Sequence, residues 1–154
     1  AESLAHLGVH LRGRVNQNQL ADEMLSAGVW THLTWFTESS CISAMEALAA
    51  GCRVVCTDKA ALSETASIGA LIEGDCFSEE YREKAVSLIT EALDNFDQEK
   101  AEIQLAYAKE NFEINTLVSD WEKMFHEEIE WAKTNPMPPY QPTPAFVNGK
   151  PSQQ

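Results

Sequence analysis

Four short runs rich in β-forming residues, at 8–12, 29–36, 53–57 and 70–72, alternate along the chain with stretches whose apolar residues recur at helical spacing. Strands joined through helices return in the same direction, so this alternation predicts an α/β fold built on a parallel sheet with right-handed crossovers. The first run, Gly8-Val9-His10-Leu11-Arg12, is bounded by Gly13 and reads as a strand entering a tight turn. Leu20, Met24, Leu25 and Ala27 then mark a helix that Gly28 closes. The second run, 29–36, lacks clean alternation, as expected of a parallel strand covered on both faces. Ser39 and Ser40 are good cap types ahead of Ile42, Met45, Leu48 and Ala49, a helical stripe that stops at Gly51. A short helix at 62–66 is expected between the last two strand runs.

Beyond Phe77 the pattern is purely helical. Ser78 is a plausible cap for a helix carrying Ala85, Leu88, Ile89, Ala92 and Leu93 on one face and acids on the other, and further helices are expected at 97–110 and 115–133. The prolines of the chain all lie between Pro136 and Pro151, a density that blocks helix and central strand. The organisation predicted is one domain over 1–134 followed by an extended, largely disordered tail over 135–154.

The chain has 154 residues, with 24 acids against 11 bases and a net charge of −13. No cationic surface is available to hold a nucleic acid or an anionic membrane by charge. No apolar run reaches the roughly 18 residues of a membrane span, so a soluble protein is expected. The sequence opens on Ala1 with no basic and apolar leader, which reads as a chain truncated at its start. Cys41, Cys52, Cys56 and Cys76 form no C-x-x-C pair and show no zinc-ligand spacing with histidine; they read as reduced, small apolar residues of a cytoplasmic protein.

Parallel sheets bind ligands beyond the carboxyl ends of their strands. After the second run this places Glu38 in the loop and Glu46 two turns into the next helix, in the spacing Glu-x7-Glu. Between them, the backbone amides of Ser40, Cys41 and Ile42 are the expected free donors of a helix amino end, suited to a phosphate. A carboxylate at either end of that phosphate site would accept hydrogen bonds from sugar hydroxyls, a geometry that suits a nucleotide-sugar.

The stretch 29–65, VWTHLTWFTESSCISAMEALAAGCRVVCTDKAALSET, resembles the donor-binding signature of family 4 retaining glycosyltransferases of the GT-B fold. An apolar strand, Glu-x7-Glu, the helix end Glu46-Ala47-Leu48-Ala49-Ala50-Gly51, the strand Val54-Val55 and a downstream Glu64 match together. Upstream, His10-Leu11-Arg12-Gly13-Arg14-Val15 resembles the strand and glycine loop preceding this signature, and the likeness covers roughly residues 8–130. It implies the carboxyl-terminal, Rossmann-like donor domain of an enzyme of glycan biosynthesis, followed by helices. Glu38 would contact hydroxyls of the donor sugar, the Ser39, Ser40, Cys41 and Ile42 segment would hold the diphosphate, Glu46 would accept from the ribose, and Val15 would lie against the base. Gly13, Arg14 and Glu64 are further candidates, Glu64 being equally readable as a helix cap.

The partners implied are a nucleotide-sugar donor and a sugar, lipid-linked or other acceptor bound by a domain absent from this sequence. The same resemblance implies no cofactor and metal-independent transfer, and no Asp-x-Asp pair of the metal-dependent kind is present. Ser39-Ser40-Cys41 stands where many members carry Gly-Phe-Gly, Leu33 and Arg53 stand where proline is common, and the cations that grip the diphosphate in the family would lie upstream. The chain alone is therefore expected to bind weakly and to be inactive. Two alternatives are a nucleotide-sugar epimerase of the same fold and a non-catalytic α/β partner-binding module. For single residues the blander readings are packing for Trp30, Trp35, Phe36 and the stripe of Trp121, Met124 and Phe125, a satisfied strand-end role for His32, and surface positions for His6 and His126.

Overall fold

The computed structural model describes residues 2–136 and the backbone of 146–147 and 150–151. By its backbone contacts the chain divides into two compact units, Ala1–Thr116 and Leu117–Gln154. The first unit is an α/β fold on a small parallel sheet. Its elements are α1 (Gln17–Ser26), β1 (Val29–His32), α2 (Ile42–Ala49), β2 (Arg53–Thr57), α3 (Ala61–Thr65), β3 (Ala70–Ile72), α4 (Glu79–Asp94) and α5 (Gln98–Phe112), after a 3-10 helix at Glu2–Leu7. The strands lie in the order β1-β2-β3, with Val29 to His32 in register with Arg53 to Cys56, and Val55 to Thr57 with Ala70 to Ile72.

Because side chains alternate along a strand, the central strand β2 feeds two cores. Val54 and Cys56 pack with Ala44, Ala47 and Leu48 of α2, Leu62 of α3 and Ala108 of α5, joined by the half-buried Trp30 and Leu71. Val55 packs on the other face with Ile72 and with Tyr81 and Ala85 of α4, joined by Val29 and Ala70. Every residue of β2 after Arg53 is buried, which explains why its run is continuously apolar rather than alternating.

Local sequence accounts for most helix ends. Asn16 caps α1 in a reciprocal capping box with Gln19, and the Ser78 and Asp97 side chains accept from Tyr81 and Lys100 amides at the starts of α4 and α5. At the end of α2, Gly51 lies at φ +79°, and the amides of Gly51 and Cys52 donate to the carbonyls of Leu48 and Ala47. This left-handed closure is one that glycine adopts without a Cβ penalty.

Three sequence expectations are corrected here. Residues 8–12 form no strand, so the sheet has three strands instead of four. Val9 and Leu11 are exposed there, Gly8 and Gly13 at positive φ bend the segment, and Arg12 pairs with Glu23 of α1; β propensity without a neighbouring strand to pack against does not make a strand. The second run yields strand only over Val29–His32, because the Thr34 amide donates to the Thr57 hydroxyl (2.9 Å) and the Phe36 amide to the Thr34 hydroxyl (2.9 Å), taking both out of the ladder. Trp35 and Phe36 are consequently exposed in the following loop, edge to face with each other, and only Trp30 of that group packs in a core. Helix α2 begins at Ile42 with Cys41 as its cap residue, so neither Ser39 nor Ser40 caps it.

Helix α6 (Ile114–Thr134) starts at the end of the first unit and runs into the second. The Glu113 carboxylate accepts from the Thr116 amide (2.9 Å), and the amides of Thr116 and Asn115 hold its pKa below the ordinary range. No residue of α6 is buried, so the stripe of Trp121, Met124 and Phe125 is not core packing; Trp121 and Phe125 meet edge to face at 5.9 Å. The tail expected to be disordered over 135–154 lies largely outside the described residues; within them β4 (Phe146–Val147) pairs antiparallel with β5 (Lys150–Pro151).

Candidate functional site

The carboxyl ends of β1 and β2 open onto two loops that are tied together. Lys59 Nζ donates to the Trp35 carbonyl (2.8 Å), the Ala61 amide donates to the Glu38 carbonyl (3.3 Å), and the Thr57 hydroxyl, itself bonded to Tyr81 OH (2.6 Å), receives the Thr34 amide. The loop after β1 is thereby fixed by backbone and side-chain bonds from the loop after β2. Ala60, at φ 51° and ψ −130°, occupies a backbone region that is costly for any residue with a Cβ, and it sits inside this junction.

Glu38 is held within that loop. His32, the last residue of β1, points to the α2 face of the sheet and places Nε2 2.8 Å from Glu38 Oε1. Cys41, at the head of α2, completes a cluster: one ligand-type atom from each of His32, Glu38 and Cys41 lies within 4.8 Å of the other two. The Cys41 thiol is raised above its ordinary pKa, first by burial and then by the Glu38 carboxylate, against the amides of Ala44 and Ser43, which favour the thiolate. Beneath it in the core, Cys56 is pushed up to about 12 by burial, with Cys41 and Asp58 adding to the effect.

Two hollows lie beside each other along α1 and α2. One, of about 410 Å³, is lined by Trp30, His32 and Glu38 and by Ser40, Cys41, Ile42 and Ser43 at the amino end of α2. The other, of about 250 Å³, is lined by Gln17, Ala21, Leu25, Glu46, Ala49 and Ala50. Leu20 and Met24 of α1 line both. Glu38 and Glu46 thus stand one in each of two adjoining hollows, with the amino end of α2 in the first. Glu46 is half-buried and accepts a hydrogen bond from Gln17 Nε2 (2.5 Å).

Of the residues singled out in the sequence, Glu38, Ser40, Cys41, Ile42 and Glu46 line these hollows. Gly13, Arg14, Val15, Ser39 and Glu64 line neither. Val15 is half-buried, Gly13 and Arg14 are exposed just before α1, and Glu64 is exposed on α3, where its carbonyl accepts from Tyr107 OH (3.3 Å). The expected phosphate donors shift along the chain. Ser40 and Cys41 precede the helix, and the Ala44 and Met45 amides already donate to the Cys41 carbonyl; the amides of Ile42 and of Ser43, the latter also facing the Cys41 sulfur, are the first-turn donors without a backbone acceptor.

Sequence reasoning passed over Gln17, Lys59 and the pairing of His32 with Glu38. His32 and Glu38 are six positions apart in sequence, and nothing in that spacing signals a contact until β1 is known to end at His32. Compared with family models, with curated proteins and with solved structures, the chain finds no match.

Proposed function

We propose that this chain is the nucleotide-sugar-binding part of a retaining glycosyltransferase with the GT-B fold, the reading its 29–65 stretch suggests. The observation that carries it is the placement of Glu38 and Glu46 in adjoining hollows, with the amino end of α2 lining the first beside Glu38. A diphosphate at the Ile42 and Ser43 amides would meet donors without a backbone acceptor and a favourable helix dipole. From there the first hollow is positioned to take the donor sugar against Glu38, and the second to take the ribose against Glu46, with Gln17 orienting that carboxylate. Lys59 supplies a cation near the loop, its ammonium now on the Trp35 carbonyl. Transfer with retention requires developing negative charge on the leaving diphosphate to be stabilised electrostatically, and in this reading the acceptor is brought by another part of the enzyme, in the cytoplasm, without metal assistance.

Calorimetric titration of the chain with a panel of nucleoside diphosphates and their sugars, in the presence of a chelator, tests the reading. One nucleotide should bind and raise thermal stability. Glu46→Ala should weaken it about 10- to 100-fold, the value of a hydrogen bond to a charged group. Glu38→Ala should weaken the nucleotide-sugar and leave the bare nucleoside diphosphate unchanged. Identical affinities for the wild type and both variants would reject the assignment. Incubated with donor and acceptor sugars, the isolated chain should release no nucleoside diphosphate.

A further inference from the structure

The cluster at the head of α2 has a composition that sugar binding does not call for. His32, Glu38 and Cys41 offer an imidazole nitrogen, a carboxylate oxygen and a sulfur, all within 4.8 Å of one another. Ligand atoms around a tetrahedral zinc ion stand about 3.3–3.8 Å apart, as follows from bonds of about 2.0–2.3 Å. The cluster is thus within a small side-chain adjustment of a three-ligand site, and its ligands come from three separately fixed positions. His32 ends a strand paired with β2, and its ring stacks on Trp30 at 5.6 Å. Glu38 is carried by the loop bonded to α3 through the Ala61 amide. Cys41, 4 % exposed, is fixed by the start of α2.

We propose that His32, Glu38 and Cys41 bind a thiophilic divalent ion of the zinc class, with a fourth position open to the 410 Å³ hollow. The mixed donor set selects for such an ion: the sulfur disfavours magnesium and calcium, which take oxygen ligands, whereas zinc takes nitrogen, sulfur and carboxylate oxygen together. Binding exchanges the thiol proton of Cys41 for the metal and releases it to solvent. It also replaces the His32–Glu38 hydrogen bond with two metal bonds, so the imidazole binds through the nitrogen that now faces the carboxylate. The ion engages the carboxylate that the sugar-binding reading gives to the donor, so it would act as an occupant of that subsite and a competitor for it. Metal binding itself does not depend on that reading.

Cobalt(II) is the probe, because it substitutes for zinc and reports its ligands in its spectrum. Added to the reduced, metal-free chain, it should give a one-to-one saturable spectrum with a thiolate-to-cobalt charge-transfer band in the near ultraviolet and the intense visible bands of a tetrahedral ion, and zinc should bleach both. Cys41→Ser should abolish the charge-transfer band. His32→Gln, at a partly exposed position, should weaken cobalt by at least the roughly ten- to hundredfold that loss of a mere supporting hydrogen bond costs a metal site. Far-ultraviolet circular dichroism confirms that each variant is folded. Absence of the charge-transfer band in the wild type overturns the proposal, as does its persistence in folded Cys41→Ser or an unchanged cobalt affinity in folded His32→Gln. Because nucleotide titrations are done under chelation and cobalt titrations without nucleotide, failure of one leaves the other standing.

Discussion

At its carboxyl end α2 is closed by backbone alone, with Gly51 and Cys52 amides on the Leu48 and Ala47 carbonyls, whereas at its amino end Cys41 supplies no side-chain hydrogen bond. The contrast extends to the other helices. Asn16, Ser78 and Asp97 cap α1, α4 and α5 with side chains, while α2 and α3, which follow the carboxyl ends of β1 and β2, begin without one. At the head of α2 this leaves backbone donors and the Glu38 carboxylate facing a hollow at the edge where a parallel sheet binds ligands, whereas α4, which follows β3 at that same edge, is capped and lines neither hollow.

The largest effect tied to this contrast is expected from the rigid part of α2. Leu48 is fully buried in the core under the helix, and Leu48→Ala should cost about 3 kcal/mol, read as a lower midpoint in urea with an unchanged slope. At the closed end, Gly51→Ala forces a Cβ into a left-handed backbone at φ +79° and should cost about 1–2 kcal/mol. Ser78→Ala should cost about 1 kcal/mol by removing the α4 cap, while Ser40→Ala, beside the uncapped end of α2, should stay within about 0.5 kcal/mol. Equal losses for Ser78→Ala and Ser40→Ala would erase the distinction between the two kinds of helix start.

The smallest effect near neutrality is a pH dependence that appears only in alkali. Cys41, Cys52 and Cys56 are all raised above the ordinary thiol value of 9.0 by burial, Cys56 to about 12. In the unfolded chain these thiols lose their protons near pH 9; in the folded chain they keep them longer. The folded state therefore holds more protons above pH 9, and stability is fully present below that pH and falls as pH rises toward 12. Cys56→Ala should make the decline shallower in denaturation curves measured at pH 8, 9 and 10. An identical decline in wild type and variant would mean the core thiols are not what the alkaline loss reports.

Much of the first unit is legible in the sequence. The β2 and β3 runs coincide with the strands, Ser78 caps the helix it was expected to cap, and Gly51 ends α2, because each is decided by residues close in sequence. Residues 8–12 misled because a strand is confirmed only by its neighbour, and the 29–36 run because hydroxyl bonds from Thr57 and Thr34 end the ladder after His32. The site was half legible. Glu38 and Glu46 are visible as a spacing, and they do line adjoining hollows. The partner of each glutamate was not, because His32 and Gln17 reach them through the packing of β1 and α1 against α2 rather than through any sequence period.

The bonds from Lys59 to Trp35 and from Ala61 to Glu38 make one plate of the two loops that edge the hollow. Lengthening either loop would lift Glu38 away from His32 and break the register between them, so tolerance for inserted residues should be least here. The turn between Asn95 and Asp97 contributes nothing to either hollow, so an insertion there should leave the pairing of Glu38 with His32 in place. Along this chain, freedom to lengthen and capacity to bind are therefore expected at opposite addresses.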